Sequence, residues 1–294
     1  MKVVITGSLG NISKPLSRAL IEKGYKVSII SSHNERRAPI EAMGAVALIG
    51  NIEDSDFLTG AFAGADAVYT MVPPDYHSAD PITRYKRIGH AYAQAILHAN
   101  VPRVVNLSSW GAHLPAGTGI IVGSHDVEVI LNDLPGVAVT HLRPTSFYNN
   151  LYFYVDMIKA AGMIGTNYGE DDKVVLVSPK DIADAALEEL LERKGSDIRY
   201  VASGEYTCNQ IAAVLGEAID KPGLQWRRFS DEQTLAAMEK NGVPHALATL
   251  LVELNASIRT GLIRENYDRY PPKIMGKVKL EDFAKEFAHA YANK

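Results

Sequence analysis

The chain opens MKVVITGSLGN, Met1 to Asn11, and this stretch decides the fold. A short apolar run, Val3 to Ile5, stops at Thr6-Gly7; Gly10 follows, and a helical pattern begins at once. The order is strand, tight glycine turn, helix. A helix starting here aims its free N–H groups and the positive end of its dipole back at the turn, which suits a pyrophosphate. A side chain at position 7 or 10 would block the turn or hold the phosphate off the backbone. The spacing Gly7-x-x-Gly10-x-x-Ser13 departs from the usual G-x-G-x-x-G fingerprint. Serine stands in the third place and is small enough for the helix to pack closely on the strand.

Outward from this unit, strands and helices alternate. Ile12, Leu16 and Leu20 form one helical stripe, closed by Gly24. Strands are expected at 26–30, 45–49, 67–72, 104–107 and 137–142, and a long helix at 81–99. Val127, Ile130, Leu131 and Leu134 mark the helix before the sixth strand. Continuous apolar strands suit a parallel sheet covered on both faces, so the fold class is α/β with a doubly wound sheet. Its site then lies at the carboxyl ends of the strands. After Pro144 the rhythm changes. Residues 173–177 read as a further strand. Ser178-Pro179-Lys180-Asp181 reads as a capping box opening a helix that runs to about Arg193. Ser230-Asp231-Glu232-Gln233 reads as a second box, Gly261 ends a leucine-rich helix, and 280–291 is a terminal helix. Residues 1–150 are expected to form the dinucleotide-binding domain, with 173–201 returning to its sheet. Residues 151–172 and 202–294 are expected to form a smaller, mainly helical substrate-binding cap.

Composition narrows the function. In 294 residues the net charge is −4, so no basic excess attracts a nucleic-acid backbone. The single cysteine, Cys208, excludes an intramolecular disulfide and reads as a buried thiol. No metal is expected, because none of the nine histidines stands at ligand spacing with a partner. No G-x-S-x-G elbow supports hydrolysis. No charged-then-apolar leader precedes the first strand and no apolar run is long enough to span a bilayer, so a cytoplasmic location away from membranes is expected.

The order and spacing of several strings resemble the NmrA-like group of atypical short-chain dehydrogenases/reductases. They are TGSLGNIS (6–13), LIGNIEDSDFLTGAFAGADAVYTMVPP (48–74), RVVNLSSWGA (103–112), HLRPTSFYNNL (141–151), VSPKDIADAA (177–186) and LEDFAKEFA (280–288). The resemblance implies a Rossmann-type NAD(P) domain and a small C-terminal substrate domain. Members include quinone, carbonyl and alkene reductases, and others act as sensors of the NADP(H) ratio. By the same resemblance Gly7, Ser8, Leu9, Gly10, Asn11 and Ile12 wrap the pyrophosphate. Ser31, Ser32, His33 and Arg36 meet the adenosine ribose, and Asn51 and Ile52 border the adenine. Met71, Val72 and Pro73 lie along the nicotinamide ribose. Leu107, Ser108 and Ser109, with Pro144, Thr145 and Ser146, flank the nicotinamide ring.

The second strand ends in Ile30-Ser31-Ser32-His33-Asn34-Glu35-Arg36-Arg37, with no acid at its end. A carboxylate there would repel a 2′-phosphate, whereas hydroxyls and arginine accept one, so NADP(H) is favoured over NAD(H). The Tyr-x-x-x-Lys pair of carbonyl-reducing relatives is missing: the registers hold Ile120/Ser124 or Ile121/His125. Hydride transfer needs only a cofactor held against an acceptor, so a reductase acting on a quinone, ketone or activated alkene remains the leading reading. The candidate catalytic groups are Ser109, Tyr148 and His125, each with a plainer role as strand-end, packing or surface residue. Trp110 and His113 follow Ser109 and either line the substrate pocket or are plain loop residues. Phe147, Tyr148, Tyr152, Phe153 and Trp226 suit an organic acceptor. The alternative is a non-catalytic NADP(H)-ratio sensor, with a transient-cofactor epimerase as a weaker third. The expected partner is a small organic hydride acceptor, and homo-oligomerisation is left open.

Overall fold

A computed structural model describes residues 1–75, 78, 80–192 and 197–293. The strands are β1 (Lys2–Ile5), β2 (Lys26–Ser31), β3 (Val46–Ile49), β4 (Ala67–Met71), β5 (Arg103–Leu107), β6 (Ala138–Pro144), β7 (Ser146–Phe147), β8 (Met163–Thr166), β9 (Lys173–Val177), β10 (Ile198–Val201), β11 (Gly204–Thr207) and β12 (Gln225–Arg228). The helices of the first half are α1 (Ser13–Glu22), α2 (Arg37–Ala42), α3 (Ser55–Phe62), α4 (Pro81–His98) and α5 (Val122–Asn132). Those of the second are α6 (Val155–Ala161), α7 (Pro179–Leu191), α8 (Cys208–Ala218), α9 (Asp231–Lys240), α10 (His245–Thr260), α11 (Glu265–Arg269) and α12 (Leu280–Asn293).

Seven strands form one parallel sheet in the order β10-β6-β5-β4-β1-β2-β3. This is the doubly wound arrangement, reversing direction beside β1. Side chains alternate between the faces with period two. Val3, Ile5, Val27, Ile29 and Val105 pack with α1, α2 and α7, whereas Val4, Ile30, Val68 and Val104 pack with α3, α4 and α5. Both faces are buried, which is why the strands read as unbroken apolar runs.

One row of the sheet is polar. Thr70, Asn106 and His141 stand in register on β4, β5 and β6. The Thr70 hydroxyl donates to Asn106 Oδ1, the Asn106 amide donates to His141 Nδ1 (3.1 Å), and His141 Nε2–H donates to Asn132 Oδ1 (3.0 Å). This ring is neutral by wiring, because a proton on Nδ1 would face the Asn106 amide donor. Burial first, then the Arg143 charge, lowers its pKa from the usual histidine value, against the pull of Glu128 and Asp197. The folded chain therefore binds this proton less tightly than the unfolded chain. The stability so contributed is complete above about pH 6.5 and lost as pH falls through the folded value, by at most about 1.4 kcal/mol per pH unit. Urea midpoints across this range should fall with acid, and His141→Gln should flatten the fall.

The region after β6 holds the main departures from expectation. β10 joins the main sheet beside β6, but β9 does not; it pairs with β7 and β11 in a separate three-stranded sheet. Pro144, without an N–H, ends β6, and the chain bends into β7, which recruits β9. β8 and β12 make a further two-stranded sheet. These strands are too short to show a period. The aromatic core of this half gathers Tyr148, Leu151, Trp226, Phe283 and Phe287.

Ser178 caps α7 through Lys180 N, but Asp181 does not complete a box. Its buried carboxylate instead accepts from Ser203 Oγ (2.6 Å), Lys277 N (2.9 Å) and Val278 N (3.2 Å). α7 ends at Leu191, and the expected stop at Arg193 lies outside the described residues. The box at Ser230 and Gln233 forms with both reciprocal bonds. Among the described residues no single helix is long and apolar enough to cross a membrane.

Candidate functional site

The glycine turn sits at the carboxyl end of β1. Gly7 has φ +86°, and a Cβ there would lie 2.6 Å from Ser13 Oγ; one on Gly10 would lie 3.0 Å from the Gly7 carbonyl oxygen. Ser13, in the third glycine's place, turns its hydroxyl back onto the Thr6 carbonyl at 2.8 Å and so locks α1 to β1. No side chain caps α1 and no acid stands in its first turn. The cradle therefore fits a dinucleotide pyrophosphate: a bare backbone, and an electropositive helix start with nothing competing for it. Ser8 rests the loop on β2, its N–H donating to Ile30 O (3.1 Å) and its hydroxyl to Ser31 Oγ (3.0 Å). Leu9 is half-buried and Ile12 buried against the core, while Gly10 and Asn11 are exposed.

Past β2, Ser31 is buried beneath the loop, so only Ser32, His33 and Arg36 stand open at its rim. His33 leans on Glu35 at 3.4 Å, and Arg36 makes no ion pair among the described residues. Asn51 caps its own turn by accepting from Glu53 N, and Ile52 packs on the core. Met71, Val72 and Pro73 are half-buried, with Met71 N donating to Thr6 Oγ1 (2.9 Å). Sequence reasoning missed Arg84, which joins the two rims: its guanidinium donates to Pro73 O (2.8 Å) and to Glu53 Oε1 (3.1 Å).

The ends of β5 and β6 close the far side through Ser108 N to Leu142 O (2.8 Å) and Trp110 N to Pro144 O (3.0 Å). The Ser108 hydroxyl is turned inward onto Glu128. Glu128 in turn takes a two-pronged ion pair from Arg143, at 2.9 and 2.6 Å, and both side chains are 5% exposed. Arg143 goes on to Tyr200 Oη and to Asn266 Oδ1, which binds the sheet to α11. Burial pulls the Arg143 pKa down, but the Glu128 hydrogen bonds and charge outweigh it and leave it above the usual arginine value. Sequence reasoning missed this pair too. The signal was an acid inside the apolar stripe of α5 and an arginine inside a buried strand, opposite charges that each need the other.

The three candidate catalytic groups are not brought together. Ser109 is half-buried, and its hydroxyl bonds no described residue. Tyr148 is fully buried, stacked on Phe283 at 5.2 Å with its hydroxyl on Val278 O, a packing role set by the aromatic core. His125 donates from Nδ1 to the Ala112 carbonyl (2.9 Å) and so pins the loop after β5. Trp226 is likewise core, its Nε1–H on Tyr168 O, and Phe153 is 67% exposed. Thr145 is buried with no partner for its hydroxyl, and Ser146 lies half-buried in β7. Ile120 and Ser124 flank Gly119, where a Cβ would collide with Leu250 O, so α10 is seated directly on the segment that lacks the Tyr/Lys pair.

Three comparisons bear on this geometry. The (4-alkanoyl-5-oxo-2,5-dihydrofuran-3-yl)methyl phosphate reductase of Streptomyces griseus is 27% identical over 252 residues, 84% of this chain and 84% of that one. The triphenylmethane reductase of Citrobacter sp. superposes with a TM-score of 0.80, covering 98% of this chain and 100% of that one at 18% identity. The NADPH-dependent quinone oxidoreductase of Escherichia coli, solved with NADPH, superposes at 0.77 over 97% and 99% at 18% identity. These two likenesses are likenesses of fold. The family model described as the NmrA-like family matches residues 1–257, and the chain belongs to the NmrA-like family.

Proposed function

We propose that this protein is an NADP(H)-dependent oxidoreductase that passes hydride to a quinone, ketone or other activated carbonyl or alkene. One observation carries the reading: an uncapped α1 behind the bare Gly7–Gly10 turn, with Arg36 unpaired at the neighbouring rim. A reduced nicotinamide supplies the hydride when it is bound. The chain's own part is to grip the pyrophosphate through backbone amides and to meet a 2′-phosphate with Ser32 and Arg36. Arg84 fixes the two rims between which the dinucleotide extends. The named activities of the three relatives, all reductions, support the same class.

Thermal shift tests the cofactor. A ligand at 100 times its Kd stabilises the fold by about 2.7 kcal/mol. NADPH should therefore raise the Tm more than NADH at equal concentration, and Arg36→Glu should erase the difference. Consumption of NADPH with a panel of quinones, aryl ketones and enones tests the chemistry. The absence of the Tyr/Lys pair favours a second reading, a cofactor-ratio sensor. Tight NADPH binding without turnover of any acceptor would select it.

A further inference from the structure

His113 lies in the loop leaving β5, close in sequence to Ser109. It is half-buried, yet both ring nitrogens are shielded from solvent and neither has a hydrogen-bond partner. An imidazole always has a donor or acceptor to satisfy at each nitrogen. Buried polar atoms left unpaired are uncommon in folded proteins, because the desolvation they suffer is not repaid.

The loop is held so that the ring stays unpaired. Gly111, Gly117 and Gly119 have φ of +82°, +83° and +57°. A Cβ on each would meet Ile263 (2.7 Å), Leu262 (3.0 Å) and Leu250 O (1.9 Å) respectively. From the other side His125 holds the Ala112 carbonyl. The charged and titratable groups facing His113 are Arg143 on β6, Glu128 and His125 on α5, and Glu265 on α11. Burial first, then the Arg143 charge, lowers its pKa from the usual histidine value. The ring is therefore neutral at pH 7 and carries one N–H to give. Arg143 does not compete for that role, since its guanidinium is spent on Glu128, Tyr200 and Asn266.

We infer that His113 donates a hydrogen bond to the oxygen of the hydride acceptor, and hence that the acceptor is a carbonyl compound. The inference rests on the hydride-transfer reading above. As hydride and its electron pair form the new bond at the acceptor, the carbonyl π pair moves onto oxygen. The His113 N–H stabilises that oxygen, and water supplies the proton that completes the product. The histidine keeps its own proton. This gives the site an electrophile where the Tyr/Lys pair is absent.

The test compares wild type with His113→Phe, which removes both nitrogens, and His113→Gln, which retains a donor. Two quantities are read: Tm of the cofactor-free protein, and kcat/KM for NADPH oxidation with 1,4-naphthoquinone. His113→Phe should melt no lower than wild type, because an unpaired polar ring gives way to an apolar one, and should bind NADPH as before. Its kcat/KM should fall at least about tenfold, and His113→Gln should recover part of the loss. Unchanged kcat/KM in His113→Phe overturns the inference, and a lowered Tm with unchanged kcat/KM identifies a packing residue instead. If His113→Phe does not fold, His113→Leu against His113→Gln carries the same comparison. A wild type that binds NADPH but reduces no quinone, ketone or enone overturns the hydride-transfer reading, and this inference with it.

Discussion

A Glu128→Ala protein is expected to lose about 3 to 5 kcal/mol of unfolding free energy, the range for removing one partner of a buried ion pair. The loss comes less from the missing attraction than from the charge left behind. Arg143 is 5% exposed and would keep a desolvated guanidinium with only the neutral oxygens of Tyr200 and Asn266 for company. Ser108 would lose its acceptor as well. Against a total stability of about 5 to 15 kcal/mol this is a large fraction. Urea denaturation checks it: the midpoint should drop at constant slope. Glu128→Leu combined with Arg143→Met should recover most of the stability, since no charge then remains to be buried.

Gly7→Val should raise the Kd for NADPH about 100-fold, equivalent to about 2.7 kcal/mol. Two costs combine. A β-branched residue at φ +86° is strained in every rotamer. Its Cβ also lands on Ser13 Oγ, so the bond that holds α1 to Thr6 must open and the helix start must move. Titration calorimetry reads the affinity directly. Gly10→Ala, whose Cβ meets only the Gly7 carbonyl oxygen at 3.0 Å, should cost less.

Most of the first half was legible because its signals are local. The Val3–Ile5 run, the two glycines and the Ile12-Leu16-Leu20 stripe each report on neighbours within one turn or one strand. Element ends moved by only a residue or two, as for β6, which extends to Pro144 because β10 pairs along it. What was not legible depends on distant partners. Asp181 reads as a cap until residues 277 and 278 arrive to claim its oxygens. Lys173–Val177 reads as one more parallel strand until β7 and β11 take its edges. The rim around Gly7 followed the same division. Ser8, Gly10 and Asn11 sit at the turn as expected, but Ser31 proved to be a support beneath it, and Arg84 came from a helix with no motif. Tyr148 had the residue type for proton donation and lost its hydroxyl to Val278, a contact 130 positions away.

The Asp181 carboxylate imposes an order of assembly. Its oxygens are claimed by Ser203 and by two amides 96 and 97 residues downstream, so they stay unsatisfied until the last stretch of chain has docked. Closing so long a span gains nothing before α7 is fixed beneath the sheet. The C-terminal helix thus behaves as a latch rather than a tail: it engages only on a finished nucleotide-side layer, and a nascent chain short of residue 278 carries an open acid at the head of α7.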